Sequence, residues 1–220
     1  MSMSPIILAS AFITAGQAAT GKADHDGHGY GPPSPERLGG AYDFIDIDGR
    51  HVTAADFTGH WTLLYFGYSR CTASCTMAIP TIAEAARLLR ERGVMTRAAF
   101  VDIEPPPLGL TRRRAPLADS HHHGAGHDDR SQSMRRIAQS FGDGLRVLSG
   151  SRAQLAAATA AFRVAREHIP PRAGETGHSI NHSSMIYFLA PDRRVAGYGY
   201  HDAEPVALAQ MIQKLHQARL

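Results

Sequence analysis

Residues 61–75 constrain the fold of this chain more than any other stretch, because they join a buried strand to a pair of cysteines. Aromatic, β-branched and leucine residues open the stretch, and such a run is typical of a strand that is buried on both faces. Gly67 then lets the backbone turn without steric cost. Cys71 and Cys75, the only cysteines of the chain, follow this turn. Apolar residues recur with helical spacing after them, so we predict a strand, a turn with both cysteines, and a helix.

The predicted position of the cysteines favours their deprotonated, thiolate form. Thiols at or near a helix N-terminus lie beside unpaired backbone N–H groups, which favour the thiolate over the thiol. We therefore expect Cys71 and Cys75 to be exposed, close together and easily deprotonated. Such a pair suits thiol–disulfide exchange or the capture of a soft metal ion. A purely structural disulfide is the less favoured reading, because a bridge that closes so short a loop stabilises a fold little.

The spacing of the cysteines favours a metal. Three residues separate Cys71 from Cys75, whereas a thioredoxin-type redox pair has two, and i, i+4 spacing places both sulfurs on one face of a helix. Two thiolates favour Cu(I) but require at least one more donor. His182 is the candidate, because it lies at the predicted start of a strand that a parallel sheet would bring beside the cysteine loop. His178, four positions earlier, is the reserve ligand.

Composition supports metal handling and argues against nucleic acid. The 220 residues include 13 histidines, and neutral imidazole is a common ligand of transition metals. One cluster of them falls at residues 121–127, where a solvated loop and a second metal site are both open readings. A formal charge of +3, with no basic run interleaved with aromatic residues, predicts no nucleic-acid partner. We expect Met77 and Met185 to be core residues and not ligands.

The sequence divides into a leader, a linker and one folded domain. Residues 1–19 contain an apolar segment followed by small residues, which predicts an export signal, although no Lys or Arg precedes it. The segment is shorter than the roughly 20 apolar residues of a membrane span, so we expect proximity to a membrane without a clear anchor. Residues 20–38 predict a flexible linker, and 39–220 the domain, with a histidine-rich insertion at about 105–129. Export would place the thiols in the bacterial periplasm or at the outer face of the inner membrane.

The remaining pattern predicts an α/β protein. A β-hairpin around Asp48 and Gly49 comes first, and the order that follows is strand, cysteine-bearing helix, strand, helix, strand, helix, hairpin, helix. Residues 180–189 predict a single strand whose first part is polar and whose second part is apolar. This order implies a mixed central sheet with helices on both faces, and a thioredoxin-like fold fits it best.

Two motifs give the chain a specific resemblance. Residues 63–75 read Leu-Leu-Tyr-Phe-Gly-Tyr-Ser-Arg-Cys-Thr-Ala-Ser-Cys, and Asn-His-Ser at 181–183 precedes an aromatic and aliphatic strand that ends in Ala-Pro-Asp. Together they resemble the Sco/SenC family of copper-binding, thioredoxin-like proteins, from about Gly39 to the C-terminus without the insertion.

The resemblance implies a function. In this chain Cys71, Cys75 and His182 would bind one copper ion, as Cu(I) or Cu(II), with the two cysteines also a redox-active pair that can form a disulfide. The protein would deliver copper to the binuclear copper site of cytochrome c oxidase, or keep the cysteines of that site reduced. Its partners would be the copper-site subunit of the oxidase or another copper protein, and copper donor proteins. Such a metallochaperone is not an enzyme in the strict sense.

The chain departs from the family pattern beside the ligands. Thr72 and Thr76 stand where the family usually has proline after each cysteine, and Asn181 stands where an aspartate often precedes the histidine. After the second strand the family's Asp-Pro-x-x-x-Asp-like run is replaced by residues 102–105, Asp-Ile-Glu-Pro.

Other functions compete with copper handling. A thiol–disulfide oxidoreductase or redox sensor is the first alternative, although no proline adjoins His182 where thioredoxins place a cis-proline opposite the dithiol. A peroxidase is the weaker one and rests on Thr72, three residues before Cys75.

Overall fold

A computed structural model describes residues 33–71, 74–106, 127–170 and 179–219. The predicted export signal, most of the predicted linker, the centre of the predicted insertion and His178 lie outside these ranges. The first described element is a 3-10 turn at Pro35–Arg37, and the neighbouring Leu38 is buried. Packed structure therefore includes the last residues of the segment that the sequence assigns to the linker.

The described ranges contain nine strands and four α-helices. The strands are β1 (Asp43–Asp46), β2 (His51–Thr53), β3 (Trp61–Gly67), β4 (Thr96–Asp102), β5 (Arg146–Ser149), β6 (Arg166–Ile169), β7 (Ser179–His182), β8 (Met185–Leu189) and β9 (Val195–Tyr200). The helices are α1 (Ser74–Glu91), α2 (His127–Phe141), α3 (Arg152–Ala161) and α4 (Pro205–Gln217). No helix in the described ranges has the length and apolar character that a membrane crossing requires.

Seven of the strands form one mixed sheet in the order β2-β1-β5-β4-β3-β8-β9. The central strands β3, β4 and β5 are parallel, as the predicted β-α-β unit requires, and β1, β8 and β9 run antiparallel to their neighbours. The hairpin of β1 and β2 turns where expected, with Gly49 in the left-handed region at φ 80°. The predicted mixed sheet of a thioredoxin-like fold is confirmed.

The core lies on both faces of this sheet. All seven residues of β3 are buried, and alternate side chains enter opposite layers because strand residues alternate in direction. Leu63 and Tyr65 pack in the layer that contains α1 and α4, while Leu64 and Phe66 pack in the layer that contains β1 and α3. Burial of each such side chain contributes about 1.5–3 kcal/mol, so β3 is fixed from both sides before the cysteine turn begins.

The predicted single strand at 180–189 is wrong, because the chain changes sheets in its middle. The Ser183 N–H donates to the Ala165 carbonyl at 3.0 Å, whereas the Ser184 carbonyl accepts from the His201 N–H at 3.0 Å. The two serines therefore bind different neighbours. Before them β7 pairs with β6, a strand that the sequence pattern did not predict, and after them β8 joins the main sheet.

Candidate metal centre

The end of β3 is where the predicted ligands meet. After Gly67 the chain makes a turn that the Cys71 N–H closes on the Tyr68 carbonyl at 3.0 Å, and α1 begins at Ser74. On the other side of β3, strand β8 pairs in antiparallel register with Tyr65 opposite Ile186. The residues that precede β8 therefore lie beside the residues that follow β3.

His182 reaches the cysteines, but for a different reason from the one predicted. We expected a parallel sheet to bring it there, whereas β3 and β8 are antiparallel. In a parallel pair the start of β8 would lie at the start of β3, at the opposite edge of the sheet. The antiparallel pairing, together with the break after β7, places the His182 ring in contact with Cys75.

The His182 imidazole is oriented for ligation. Its Nδ1 lies 3.1 Å from the Ser183 carbonyl oxygen. Because a carbonyl can only accept, Nδ1 carries the proton, and in the neutral ring Nε2 has the free lone pair. Nε2 faces the Cys75 sulfur at 3.9 Å. A backbone oxygen that fixes the tautomer in this way is the usual support of a metal-binding histidine.

The two thiols have unequal environments. Cys75 is 2% exposed, Cys71 is half-buried, and both are reduced thiols. A hydrogen bond with the Cys71 thiol and, secondly, burial raise the pKa of Cys75. The prediction of two exposed, easily deprotonated thiols is therefore wrong for Cys75, because the first turn of α1 points this side chain into the core, where the Cys71 thiol and, secondly, desolvation favour the protonated form.

Two tyrosines that sequence reasoning did not select complete the walls of the centre. The rings of Tyr65 and Tyr68 lie edge-on to the His182 ring at 6.0 and 6.1 Å between centroids. The Tyr65 hydroxyl lies 3.9 Å from the Cys75 sulfur, and burial raises its pKa, so it stays neutral. Their positions close to Gly67 and the cysteines could have indicated that they line the centre. The run of apolar and aromatic residues, however, predicted only a buried strand.

The donor set suits a soft metal ion. Thiolate sulfur and imidazole nitrogen are the ligands that Cu(I), Cu(II) and zinc accept. With bonds of about 2.3 Å to sulfur and 2.0 Å to nitrogen, the 3.9 Å between Cys75 Sγ and His182 Nε2 corresponds to an angle of about 130° at a shared ion. Within the described ranges, however, no three His, Cys, Asp or Glu side chains are already close enough to hold an ion. Cys75 and His182 are therefore preformed, and completing the set requires Cys71 to adjust.

Acidic and basic side chains lie directly behind the cysteine turn. Asp102, at the end of β4, is fully buried, and its carboxylate accepts the Ser69 N–H at 3.1 Å. Arg70 forms a two-point ion pair with Glu104, in which Nε lies 3.1 Å from Oε2. Arg130 of α2 approaches Asp102 at 3.4 Å. In the sequence, residues 102–105 stand out only as a departure from the family pattern.

The methionines next to the centre differ from each other. Met77 is 54% exposed, so the prediction that it is a core residue is wrong. It lies two residues after the inward-facing Cys75 on α1, and side chains at i and i+2 do not share a helix face. Met185 is partly buried and packs against the core layer of Leu64 and Phe66, as expected.

A mixed, helix-covered sheet, with a Cys-x3-Cys turn after its central strand and a histidine from a separate hairpin beside that turn, defines a thioredoxin-like protein with a dithiol and imidazole site. The chain belongs to the SCO1/SenC family, whose model matches residues 31–107 and 127–217. The match leaves out residues 108–126, within the segment predicted as an insertion.

Individual relatives support this membership at low identity. The human mitochondrial protein named SCO2 homolog is 27% identical over 161 residues, which are 72% of this chain and 52% of that protein. This chain thus spans about half the length of the curated relatives it matches. A crystal structure of Arabidopsis thaliana ScoI with copper bound has a TM-score of 0.65 and 21% identity, covering 82% of this chain and 99% of that one. A structure of Bradyrhizobium japonicum ScoI with copper bound has a TM-score of 0.61 and 23% identity, and the match covers 81% of this chain and 99% of that one. At these identities the structures show the shared fold.

Proposed function

We propose that this chain binds one copper ion through Cys71, Cys75 and His182 and takes part in the assembly of the binuclear copper site of cytochrome c oxidase. The observation that carries the proposal is the contact of His182 Nε2 with the Cys75 sulfur at 3.9 Å, with Nδ1 held by the Ser183 carbonyl. Family membership and the copper-bound relatives support the choice of copper over other soft ions. Export is part of the same proposal, and it is supported by the apolar segment and small residues of 1–19, which lie outside the described ranges.

The unequal burial of the thiols suggests how copper would be passed on. Copper is the cargo, so its release requires a partner's ligands to replace those of this chain one at a time. Cys71 is half-buried, whereas Cys75 is almost completely buried. An incoming thiolate would therefore reach the Cys71 side of the ion first, while Cys75 and His182 still hold the cargo. The partner we propose is the copper-site subunit of the oxidase or another copper protein.

A second function is favoured by the hydrogen bond between the two thiols. Thiols in contact can close to a disulfide once the sulfurs reach bonding geometry. Oxidation of Cys71 and Cys75 would release two electrons and two protons, and these would convert a partner's disulfide into two thiols. In this role the chain would keep the cysteines of the oxidase copper site reduced.

Copper titration of the reduced protein tests the ligand set. We expect one tightly bound ion per chain and a Cu(II)–thiolate absorption band. His182→Ala should abolish the band and weaken binding by at least about tenfold, because the set loses its only nitrogen donor. His168→Ala is the matched control, since this exposed histidine lies on the strand paired with β7. An unchanged band and stoichiometry in His182→Ala would refute the ligand assignment.

A reductase assay separates the two functions. The reduced, copper-free protein is mixed with a peptide that carries the partner's two cysteines as a disulfide, and thiol release is measured. Stoichiometric reduction would favour the redox role, whereas transfer of copper to the reduced peptide without thiol oxidation would favour delivery.

A further inference from the structure

Residues 102–104, at and just after the end of β4, contact the turn that leads from β3 to Cys71. The Ile103 N–H donates to the Gly67 carbonyl at 2.8 Å. The Ser69 N–H donates to Asp102, and Arg70 pairs with Glu104. Residues 67, 69 and 70 are thus each linked to the segment 102–104, and Cys71 is the next residue along the chain.

The same segment also contacts the histidine arm, which is the hairpin of β6 and β7 that carries His182. Arg166 lies directly opposite His182 in the pairing of β6 with β7. Its guanidinium donates to the Ile103 carbonyl at 3.4 Å. Residues 102–104 therefore lie between the cysteine turn and the histidine arm, and they are bonded to both.

The acidic groups of this segment are held rigidly. Asp102 is fully buried, and its two oxygens accept the Ser69 N–H at 3.1 Å and the Glu104 N–H at 2.8 Å. The side chain of Glu104 is 10% exposed and that of its partner Arg70 is 22% exposed. A buried carboxylate is costly unless it is paired, and hydrogen bonds to charged groups are the stronger ones. A change in the position of the turn would break these bonds, so they oppose it.

We propose that Asp102 and Glu104 are positioning residues that hold Cys71 within reach of the ion bound by Cys75 and His182. Cys71 is the ligand that must move to complete the copper-binding set. The bonds of Asp102 to Ser69 and of Glu104 to Arg70, which we call the tether, limit how far it can move. The inference rests on the proposed function for its copper readout. Its second readout, hydrogen exchange of the turn, needs no copper.

The double variant Arg70→Gln/Glu104→Gln tests this role. It removes the charged tether without leaving an unpaired buried charge, so it is the variant expected to fold. We expect the copper-free variant to exchange the amide hydrogens of residues 68–71 at least about tenfold faster than the wild type. We also expect copper to dissociate about tenfold faster, within the range seen when supports of metal ligands are removed. The Cu(II)–thiolate band should lose intensity as the Cys71 contribution weakens.

The matched control is Glu84→Gln/Arg87→Gln. This pair is also a two-point Arg–Glu pair, lies on α1 as Cys75 does, and faces solvent. It should leave exchange in the turn and the copper dissociation rate within about twofold of the wild type, as surface ion pairs contribute little.

Three outcomes are distinguishable. If the tether only stabilises the fold, the double variant will melt at a lower temperature but keep wild-type exchange and dissociation rates well below its melting point, and the inference is overturned. If the wild type binds no copper, the proposed function fails, while faster exchange in the variant still supports the tether. If the double variant does not fold, Arg70→Lys retains the charge but loses the two-point contact, and copper must dissociate from it faster than from the wild type for the inference to stand.

Discussion

At the residue scale, Cys75 has an environment unlike that of a surface thiol. Its side chain is turned inward, and three neighbours lie against its sulfur: the Tyr65 hydroxyl, His182 Nε2 and the Cys71 thiol. The hydrogen bond with the Cys71 thiol and, secondly, burial raise the pKa of Cys75 and outweigh the hydrogen bond with Tyr65, which lowers it. A soft metal ion would favour the thiolate form of Cys75 instead. Only the thiolate is a good ligand, and the positive charge of the ion compensates the negative charge of the buried sulfur.

The raised pKa of Cys75 gives a pH prediction. The thiol remains protonated through the neutral range, so binding copper must release its proton. Lower pH therefore opposes binding, and the affinity should rise with pH by about tenfold per unit for each proton displaced. Competition with a Cu(I) chelator calibrated at pH 6, 7 and 8 measures this slope. An affinity that stays constant over the range would show that the thiolate is already present before copper arrives.

Gly67 is required by the space beside Cys75. A Cβ at this position would lie 2.6 Å from the Cys75 sulfur and 3.0 Å from the Tyr65 ring. Gly67→Ala must therefore displace the sulfur, and we expect a loss of about 1–3 kcal/mol in the free energy of unfolding together with weaker copper binding. Chemical denaturation and copper titration measure the two effects.

Gly144→Ala is the control for that substitution, because a Cβ there meets nothing within 4 Å. Equal effects of the two substitutions would mean that close packing at the sulfur is unimportant.

At the scale of elements, the hairpin of β6 and β7 is the part of the fold that supplies the nitrogen ligand. It stands apart from the main sheet, and four residue pairs join its strands. Ser183 connects it to the preceding chain twice, since its N–H donates to the Ala165 carbonyl and its Oγ accepts the Ala165 N–H, both at 3.0 Å. The same serine offers its carbonyl to His182 Nδ1.

Ser183→Ala should therefore loosen the arm without removing a ligand. The Ala165 amide loses its side-chain acceptor, which costs about 0.5–1.5 kcal/mol. We expect copper affinity to fall while one ion per chain is still bound. Thermal unfolding and competition titration measure the change, with Ser140→Ala on the exposed face of α2 as the control, since it also loses one hydroxyl hydrogen bond. An affinity equal to that of the control would show that His182 is positioned by other contacts.

At the scale of the whole molecule, one sheet with a packed layer on each face determines where the centre lies. Buried side chains of β3 enter both layers, so the end of this strand is a rigid platform for the turn. The segment between β4 and α2 enters and leaves the domain near the same edge, where Asp102 contacts Arg130 at 3.4 Å. The family match passes over residues 108–126.

Replacing residues 107–126 by a glycine-serine linker of equal length should leave the main site unchanged. Cys71, Cys75 and His182 lie outside the replaced segment, and Arg130 is retained. We expect one tightly bound copper ion as in the wild type, and loss of any weaker ions that the histidines of the segment bind. Titration with copper counts both classes. Loss of the tight ion would mean that the segment contributes a ligand.

Several elements of the fold are encoded in local sequence patterns and could be predicted from them. The apolar run of β3, the hairpin turn at Gly49 and the β-α-β order were all readable, because periodicity and turn chemistry act over a few residues. The two motifs also selected Cys71, Cys75 and His182 as candidates.

The way in which these side chains meet depends on contacts between distant segments. Ser183 and Ser184 break a strand that looks continuous, because their hydrogen-bond partners, Ala165 and His201, are remote in sequence. The direction of β8 relative to β3 and the burial of Cys75 likewise depend on packing between distant segments. The tether of Asp102 and Glu104 joins residues more than thirty positions apart. Long-range contacts of this kind leave no local pattern, so they had to be observed.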